Sequence, residues 1–246
     1  MIPYQRRLQM LQLLENKEVV FLSDFCKALD GVSESTVRRD LKTLEQEGQI
    51  ILLRGGGACL KQGSYEMPVN SKGIKNVSEK EQIARYAAGL VKDGESIYLD
   101  SGSTLYRMLP HLKGKDINVI TTNALVFTDM QDLKMKCFII GGEINFSTGS
   151  IVGAMTIREL SGMYFDKAFL GANGVSERAG ISTHTMSEAE KKRVVKENST
   201  ETYVLADSSK IGKNAMCKIF ELGEVPVICD KESEILINSG NYIIAK

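Results

Sequence analysis

A helix-turn-helix pattern followed by a glycine-tipped hairpin, within residues 22–57, constrains the fold of this chain more than any other feature. The second helix of the pattern follows Ser33, a residue type favoured at N-caps, and precedes Gly48, which suits a left-handed C-cap. Its apolar positions recur at i, i+4 and i+7 and predict one buried stripe. These positions are Val37, Leu41 and Leu44.

The flanking segments predict the remaining parts of a winged DNA-binding domain. Asp30 and Gly31 supply the turn between the two helices, and Ser23 or Asp24 can cap the first of them. A strand, a glycine-rich turn and a short return strand follow the second helix and form the wing. The predicted elements are helices over 6–14, 22–29 and 34–47, and strands over 49–53 and 58–60.

The polar face of the second helix suits the major groove of DNA, where short hydroxyls and arginines read base edges. A lysine on the same helix and an arginine at the hairpin tip suit phosphates, and the arginine also suits a minor groove. The predicted DNA contacts are Ser35, Thr36, Arg38, Arg39, Lys42 and Arg54. A surface helix with solvated charges is the alternative for the helix taken alone.

The overall charge gives no support to general nucleic-acid binding, because the net charge of the 246 residues is +0 at pH 7. A site-specific binder needs a positive face rather than a positive total. The 5 cysteines are widely spaced, which predicts neither a disulfide framework nor a metal site. The chain shows no apolar run of membrane-spanning length and no signal peptide, so we expect a cytoplasmic protein that does not contact membranes.

The remainder of the chain predicts a linker over 61–77 and a second domain over 78–246, after a winged helix-turn-helix over 1–60. Ser78 is the expected cap of the first helix of the second domain, with Glu81 at the capping-box position. Short apolar strands then alternate with polar loops and helices, which is typical of a largely parallel α/β sheet. The predicted strands are 96–99, 118–121, 136–140, 167–170, 202–206 and 226–229. Residues 235–238 and 242–245 are candidates for final strands or interface elements.

Small and hydrogen-bonding residues at the strand ends predict a ligand site, because ligands of open α/β sheets bind beyond the carboxyl ends of the strands. The loop 101–104 lies between a strand and a helix expected over 104–112, where backbone N–H groups and hydroxyls suit an anion. Lys210 supplies a mobile cation for a phosphate, and glycine permits close backbone approach. The predicted effector-binding residues are Asp100, Ser101, Gly102, Ser103, Thr104, Asn123, Gly142, Asn173 and Lys210. Each also has a plain structural interpretation as a cap, a turn residue or a solvated lysine.

Both halves of the chain resemble the DeoR family of bacterial transcriptional regulators. The N-terminal resemblance rests on the runs 33–41 and 54–58, and the C-terminal one on 100–104, 121–123, 141–142, 166–174 and 206–210. The resemblance implies a sensor domain similar to ribose-5-phosphate isomerase. It also implies that residues 101–104 and Lys210 hold the phosphate of a sugar, with Asp100, Asn123 and Asn173 at the sugar end.

An active sugar-phosphate isomerase with a DNA-binding appendage is the main alternative function. Aldose–ketose isomerisation needs a carboxylate base, and the isomerases carry Asp-Gly-Ala-Asp where this chain has Leu170 to Asn173. Both carboxylates are replaced, although Glu188 and Glu190 lie near another carboxylate of that family. No catalytic residue, cofactor or metal is therefore predicted.

The sequence thus predicts a repressor of carbohydrate-metabolism genes that binds a double-stranded DNA operator and a phosphorylated sugar. The effector is expected to weaken operator binding. We expect a homodimer for two half-sites, and the family resemblance also allows a homotetramer. A winged-helix module that binds protein is a further alternative, for which association would be insensitive to salt.

Overall fold

Two structural units, residues 1–65 and 66–246, make up the fold, and each has its own apolar core. The computed structural model describes residues 2–17, 19–47, 49–53, 55–60, 75–128 and 135–246. The predictions at Gly48 and Arg54, and residues 61–74 of the predicted linker, lie outside the described residues.

The N-terminal unit is a winged helix-turn-helix. Its strands form one antiparallel sheet in the order β1–β3–β2. The first strand, which the sequence analysis did not predict, adds a third strand beside the wing. The elements are α1 (Pro3–Asn16), β1 (Val20–Phe21), α2 (Leu22–Ala28), α3 (Glu34–Gln46), β2 (Ile50–Leu53) and β3 (Gly57–Leu60).

Helix α3 has the predicted cap and the predicted buried stripe. The hydroxyl oxygen of Ser33 accepts a hydrogen bond from the Thr36 amide, which satisfies one otherwise unpaired N–H of the first turn. The three apolar positions at i, i+4 and i+7 are all buried in the core of this unit. The predicted cap of α2 was wrong, because α2 begins at Leu22 after Phe21 and no side chain caps it.

A buried ion pair joins the first and third helices. The Arg6 Nε donates to an Asp40 carboxylate oxygen at 2.7 Å, and Asp40 is only 5% exposed. A buried carboxylate is tolerated when it is paired and hydrogen-bonded. The pairing removes Asp40 from the solvent face of α3, so its negative charge does not oppose the basic residues there.

The C-terminal unit is an α/β fold built on a parallel sheet. Short 3-10 turns lie at Ala124–Thr128 and Ser208–Lys210. The helices are α4 (Val77–Gly89), α5 (Ser103–Tyr106), α6 (Leu109–Leu112), α7 (Ala154–Leu160), α8 (Met186–Glu197) and α9 (Glu234–Ser239). The strands are β4 (Ser96–Leu99), β5 (Asn118–Thr121), β6 (Lys136–Ile139), β7 (Glu143–Asn145), β8 (Ser150–Val152), β9 (Phe165–Gly171), β10 (Gly174–Ser176), β11 (Gly180–Thr183), β12 (Ser199–Leu205), β13 (Cys217–Phe220), β14 (Val227–Cys229) and β15 (Tyr242–Ile244).

The main sheet has the strand order β15–β14–β12–β9–β4–β5–β6, and all its neighbours pair in parallel. Each of the six predicted strands belongs to it. Along β4, Ile97 and Leu99 contribute to the core on one face, whereas Tyr98 contributes to the core on the other. This alternation places apolar cores on both faces, as a parallel sheet requires. The chain runs outward from β4 in one direction and from β9 in the other, so a topological switch point lies between these two strands.

Two local predictions were wrong in this unit, the strand alternative for residues 235–238 is excluded, and one sheet was not predicted. The helix expected over 104–112 is divided into α5 and α6, and Pro110, which lacks an N–H, lies in α6. Residues 235–238 are helical rather than extended, because Ser233 caps α9 and Gly240 ends it in a left-handed conformation. Helix α4 begins after Asn76, so Ser78 is not its cap. The antiparallel sheet β10–β11–β13 was not predicted.

Candidate functional site

A polar pocket lies at the switch point of the main sheet. It is lined by residues that follow β4, β9 and β12, by the hairpin β7–β8, and by side chains of α4 and α8. This is the place where open parallel sheets bind ligands. The cavity volume is about 70 Å³. It is smaller than the roughly 300–1000 Å³ of sites for drug-sized apolar ligands and suits a small polar molecule.

One end of the pocket is suited to an anion. Lys80 of α4 and Lys210 of the 3-10 turn after β12 both line it, together with the predicted loop 101–104. The loop supplies the hydroxyls of Ser103 and Thr104 and no acidic side chain. The expected contribution of a helix dipole was overestimated, because α5 has only 4 residues. The positive charge at this end comes from the two lysines, and the Asp207 carboxylate, which also lines the pocket, lies near both of them.

The other end offers directional hydrogen-bonding groups. The Asn173 side-chain oxygen accepts from the Thr183 hydroxyl at 2.9 Å, which leaves the amide nitrogen of Asn173 as its donor. Both residues and Glu188 line the pocket. Amide and carboxylate groups of this kind suit the hydroxyls of a sugar.

A network of four buried charges supports the floor of the pocket. The Lys192 ammonium donates to Asp100 and lies 3.3 Å from Glu188, while Lys191 lies 3.2 Å from Glu188 and 3.6 Å from Asp100. Burial alone raises the pKa of Glu188, but the positive charges of Lys191 and Lys192 and a hydrogen bond from Ser150 outweigh it and lower the pKa to about 2. Glu188 is therefore ionised at neutral pH.

The Ser150 hydroxyl connects this network to the hairpin β7–β8. It donates to Glu188 and accepts from Lys191 and Ser101, both at 2.8 Å. Lys191 also donates to the backbone oxygen of Ile151 at 3.3 Å. The hairpin is thus held against α8 by polar contacts and forms one wall of the pocket.

Three predicted effector residues do not line the pocket. Asp100 is fully buried behind the floor, where it also accepts from the Gly171 amide at 3.0 Å. Asn123 is fully buried as well; its side-chain oxygen accepts from the Leu125 amide, and its side-chain nitrogen has no partner within the described residues. Gly142 has φ +151°, and a Cβ there would lie 2.1 Å from Thr156 Oγ1, so a packing requirement explains this glycine.

Several lining residues were missed by the sequence analysis. They are Lys80, Thr148, Ser150, Thr183, Glu188, Lys192 and Asp207. Opposite charges at i, i+3 and i, i+4 join Glu188 to the two lysines, and this spacing is visible in the sequence. The same spacing is usual on solvated helix faces, so it does not by itself indicate burial. The contribution of Lys80 depends on tertiary packing that no local pattern predicts.

The basic side chains predicted to contact DNA are exposed on α3. Arg39 and Lys42 are exposed, and the Arg38 side chain is 60% exposed and forms an i,i+4 ion pair with Glu34. An exposed pair of this kind contributes little to stability, so Arg38 can exchange Glu34 for another acceptor at small cost. Ser35 and Thr36 hydroxyls lie within hydrogen-bond distance of the Ser33 hydroxyl, at the start of the helix.

No cluster of metal-ligating side chains was found among the described residues. In the same part of the chain, no helix has both the length and the apolar character needed to cross a membrane.

A winged helix-turn-helix unit combined with an α/β unit that carries a polar pocket is the architecture of a ligand-sensing transcription regulator. Residues 6–62 match the DeoR-like helix-turn-helix domain, and residues 75–231 match the DeoR C terminal sensor domain. The chain belongs to the DeoR family.

Similar proteins of known sequence carry regulatory names. The chain is 32% identical to the uncharacterized HTH-type transcriptional regulator FruR of Bacillus subtilis, over 97% of this chain and 95% of that protein. It is 31% identical to the lactose phosphotransferase system repressor of Staphylococcus epidermidis, over 94% of this chain and 93% of that protein. These names identify a transcription regulator rather than an enzyme.

Among solved structures, a ribose 5-phosphate isomerase A from Methanocaldococcus jannaschii is similar at 25% identity and a TM-score of 0.41. The match covers 61% of this chain and 58% of the isomerase.

Within this chain's own pocket, a carboxylate with a pKa of about 2 is a weak base, so Glu188 is not suited to removing a proton from a sugar carbon.

The buried network predicts a specific acid sensitivity. Because the folded pKa of Glu188 is about 2, below its ordinary value of 4.5, its contribution to stability is complete above pH 4.5 and is lost as the pH falls towards 2. We expect Glu188→Gln to lower the free energy of unfolding by on the order of 3 kcal/mol at pH 7, with a smaller difference from wild type at pH 3. Urea titrations at a series of pH values measure this difference. The matched control is Glu190→Gln on the exposed face of α8, and a pH-independent deficit for Glu188→Gln would contradict the assignment.

Proposed function

We propose that the protein represses carbohydrate-metabolism genes by binding a double-stranded DNA operator, and that a phosphorylated sugar in the C-terminal unit modulates this binding. The pocket at the switch point carries the proposal. Two lysines from separate elements line it, together with several hydrogen-bonding side chains. A compound that combines a phosphate with several hydroxyls complements this lining. The names of the relatives, one a lactose phosphotransferase system repressor, support a carbohydrate signal.

The proposed phosphate contacts are Lys210, Ser101, Gly102, Ser103 and Thr104, and we add Lys80 because it also lines the pocket. Asn173 and Glu188 are proposed for the sugar hydroxyls. Asp100 supports the floor from behind, and the buried amide nitrogen of Asn123 is a donor for a ligand or water that reaches it. Gly142 is proposed to act through packing against Thr156. No cofactor is part of this proposal.

The DNA-binding proposal uses the exposed face of α3. Arg38 and Arg39, with Ser35 and Thr36, are proposed to read base edges, whereas Lys42 and Arg54 contact phosphates. A homodimer is the smallest assembly that places two such helices on two half-sites, and a homotetramer extends it. The effector lowers operator affinity if it binds more tightly to the arrangement that does not fit the operator.

Substitutions on α3 distinguish base contacts from phosphate contacts. We expect Arg38→Ala to weaken operator binding by about 5- to 150-fold, because a bidentate contact to a base contributes roughly 1–3 kcal/mol. Lys42→Ala should lower the slope of log affinity against log salt by about 1 and affect all sequences similarly. Fluorescence anisotropy with DNA from upstream of the protein's own coding region measures both.

Arg178→Ala is the matched control, because Arg178 is an exposed arginine of the other unit. Wild-type affinity and sequence preference for Arg38→Ala would remove Arg38 from the DNA interface. Association of the wild-type protein with DNA that is insensitive to salt would instead favour a module that binds protein.

The phosphate end is tested by calorimetry with glucose 6-phosphate, fructose 1-phosphate, fructose 6-phosphate, ribose 5-phosphate and the unphosphorylated sugars. We expect at least one phosphorylated compound to bind more tightly than its parent sugar. Lys210→Ala should weaken that binding by about 10- to 100-fold, because hydrogen bonds to charged groups contribute roughly 1.5–3 kcal/mol.

The control for this experiment is Lys231→Ala, which removes an exposed lysine that does not line the pocket. Equal affinity of the phosphorylated and unphosphorylated compounds, or full affinity in Lys210→Ala, would refute the phosphate assignment.

A further inference from the structure

The first turn of α4 is connected to the anion end of the pocket through Lys80. This side chain lines the pocket, and the residue is only 3% exposed. Its ammonium donates to the backbone oxygen of Lys75 at 2.8 Å. The same side chain therefore borders the pocket and holds the chain just before α4. That chain leads, in sequence, to the helix-turn-helix unit.

A second connection runs through Asn76. The backbone of this residue is in the left-handed helical conformation, with φ 47° and ψ 46°. Its side-chain nitrogen donates to the Asp207 carboxylate oxygen Oδ1 at 2.8 Å. The same carboxylate oxygen accepts from the Ser209 amide at 3.1 Å and so caps the turn that carries Lys210. One carboxylate thus ties the start of α4 to the phosphate-binding turn. A left-handed conformation is costly for residues other than glycine, although asparagine tolerates it better than most.

Like charges surround the same place. Burial and the positive charges of Lys210 and Lys213 lower the pKa of Lys75 to about 8. Lys75 is therefore still largely protonated at neutral pH, and its charge repels the neighbouring lysines. A phosphate dianion beside Lys80 and Lys210 offsets this repulsion, because an opposite charge nearby favours the protonated form of each amine.

We propose that residues 75–80 transmit occupancy of the pocket to the chain that leads to the helix-turn-helix unit. The bound phosphate contacts Lys80 and Lys210 and relieves the repulsion on Lys75, while Asn76 keeps the start of α4 bonded to Asp207. The turn is then fixed more firmly in the occupied state than in the empty one. This difference between two states is what coupling between sites requires. The inference rests on the proposed function, because it takes a sugar phosphate as the ligand.

The test uses the full-length protein and Asn76→Gly. Glycine adopts the left-handed conformation readily and lacks the side chain that bonds Asp207. The probe is whichever of the four sugar phosphates binds wild type most tightly. Calorimetry gives its affinity, anisotropy gives operator affinity with and without it, and hydrogen exchange gives protection of residues 75–80. Asn238→Ala is the control, since it removes an exposed asparagine–carboxylate bond elsewhere in the same unit.

We expect Asn76→Gly to bind the probe within about 3-fold of wild type while the effect of the probe on operator affinity falls at least 5-fold. Added protection of residues 75–80 on binding should occur in wild type and Asn238→Ala and be lost in Asn76→Gly. An unchanged effect on the operator would overturn the inference and leave the proposed function standing. Loss of probe binding in Asn76→Gly would also overturn it, because Asn76 would then act in binding itself. If none of the four compounds binds wild type, the proposed function is contradicted, and the inference that rests on it is overturned as well.

Lys75→Gln provides a second variant, which we expect to resemble the ligand-bound protein even when no probe is present. Removing this positive charge relieves the repulsion without a ligand, so operator affinity without the probe should move towards the value that wild type shows with it. Wild-type operator affinity in Lys75→Gln, with and without the probe, would contradict the proposed role of charge.

Discussion

The buried charge network behind the pocket is the interaction on which the C-terminal unit depends. Lys191 and Asp100 are fully buried, and Lys192 and Glu188 are 4% and 8% exposed. Burying a charge is costly unless it is paired and hydrogen-bonded, and here each charge has two partners of opposite sign. Asp100 follows β4, the lysines lie on α8, and Asp100 also accepts from the Gly171 amide of β9. The network therefore fixes the two strands of the switch point against one helix, and loss of any member leaves an uncompensated charge.

This arrangement joins the support of the pocket to part of its lining, because Glu188 and Lys192 of the network also line the pocket. The two lysines and two carboxylates of the floor balance one another, so the charge offered to an anion comes from Lys80 and Lys210 at the rim. Both lysines lie on elements outside the network. The Lys80 ammonium donates to the chain just before α4, and Lys210 lies on the 3-10 turn that the Asp207 side chain caps. In the proposed mechanism, a phosphate held by Lys80 and Lys210 acts on the segment that precedes α4.

The sequence predicted the elements better than the site. Apolar runs and their spacing predicted six of the seven strands of the main sheet and the buried stripe of α3. This succeeded because burial along a strand or helix repeats with a short period. Residues 101–104 and Lys210 were predicted from polar residues at strand ends, and they line the pocket. Lys80 and Glu188 were not assigned to the pocket, because their positions depend on how distant segments pack. Asn123 and Gly142 were predicted from residue type, and neither residue lines the pocket.

The central claim is that the pocket and the operator site share one coupling free energy. The most direct measurement determines probe affinity with and without saturating operator, and operator affinity with and without saturating probe, on the same full-length protein. The account predicts that each ligand weakens the other by the same factor, within the roughly 5- to 150-fold range typical of allosteric coupling. Probe affinity that is identical with and without operator would contradict it.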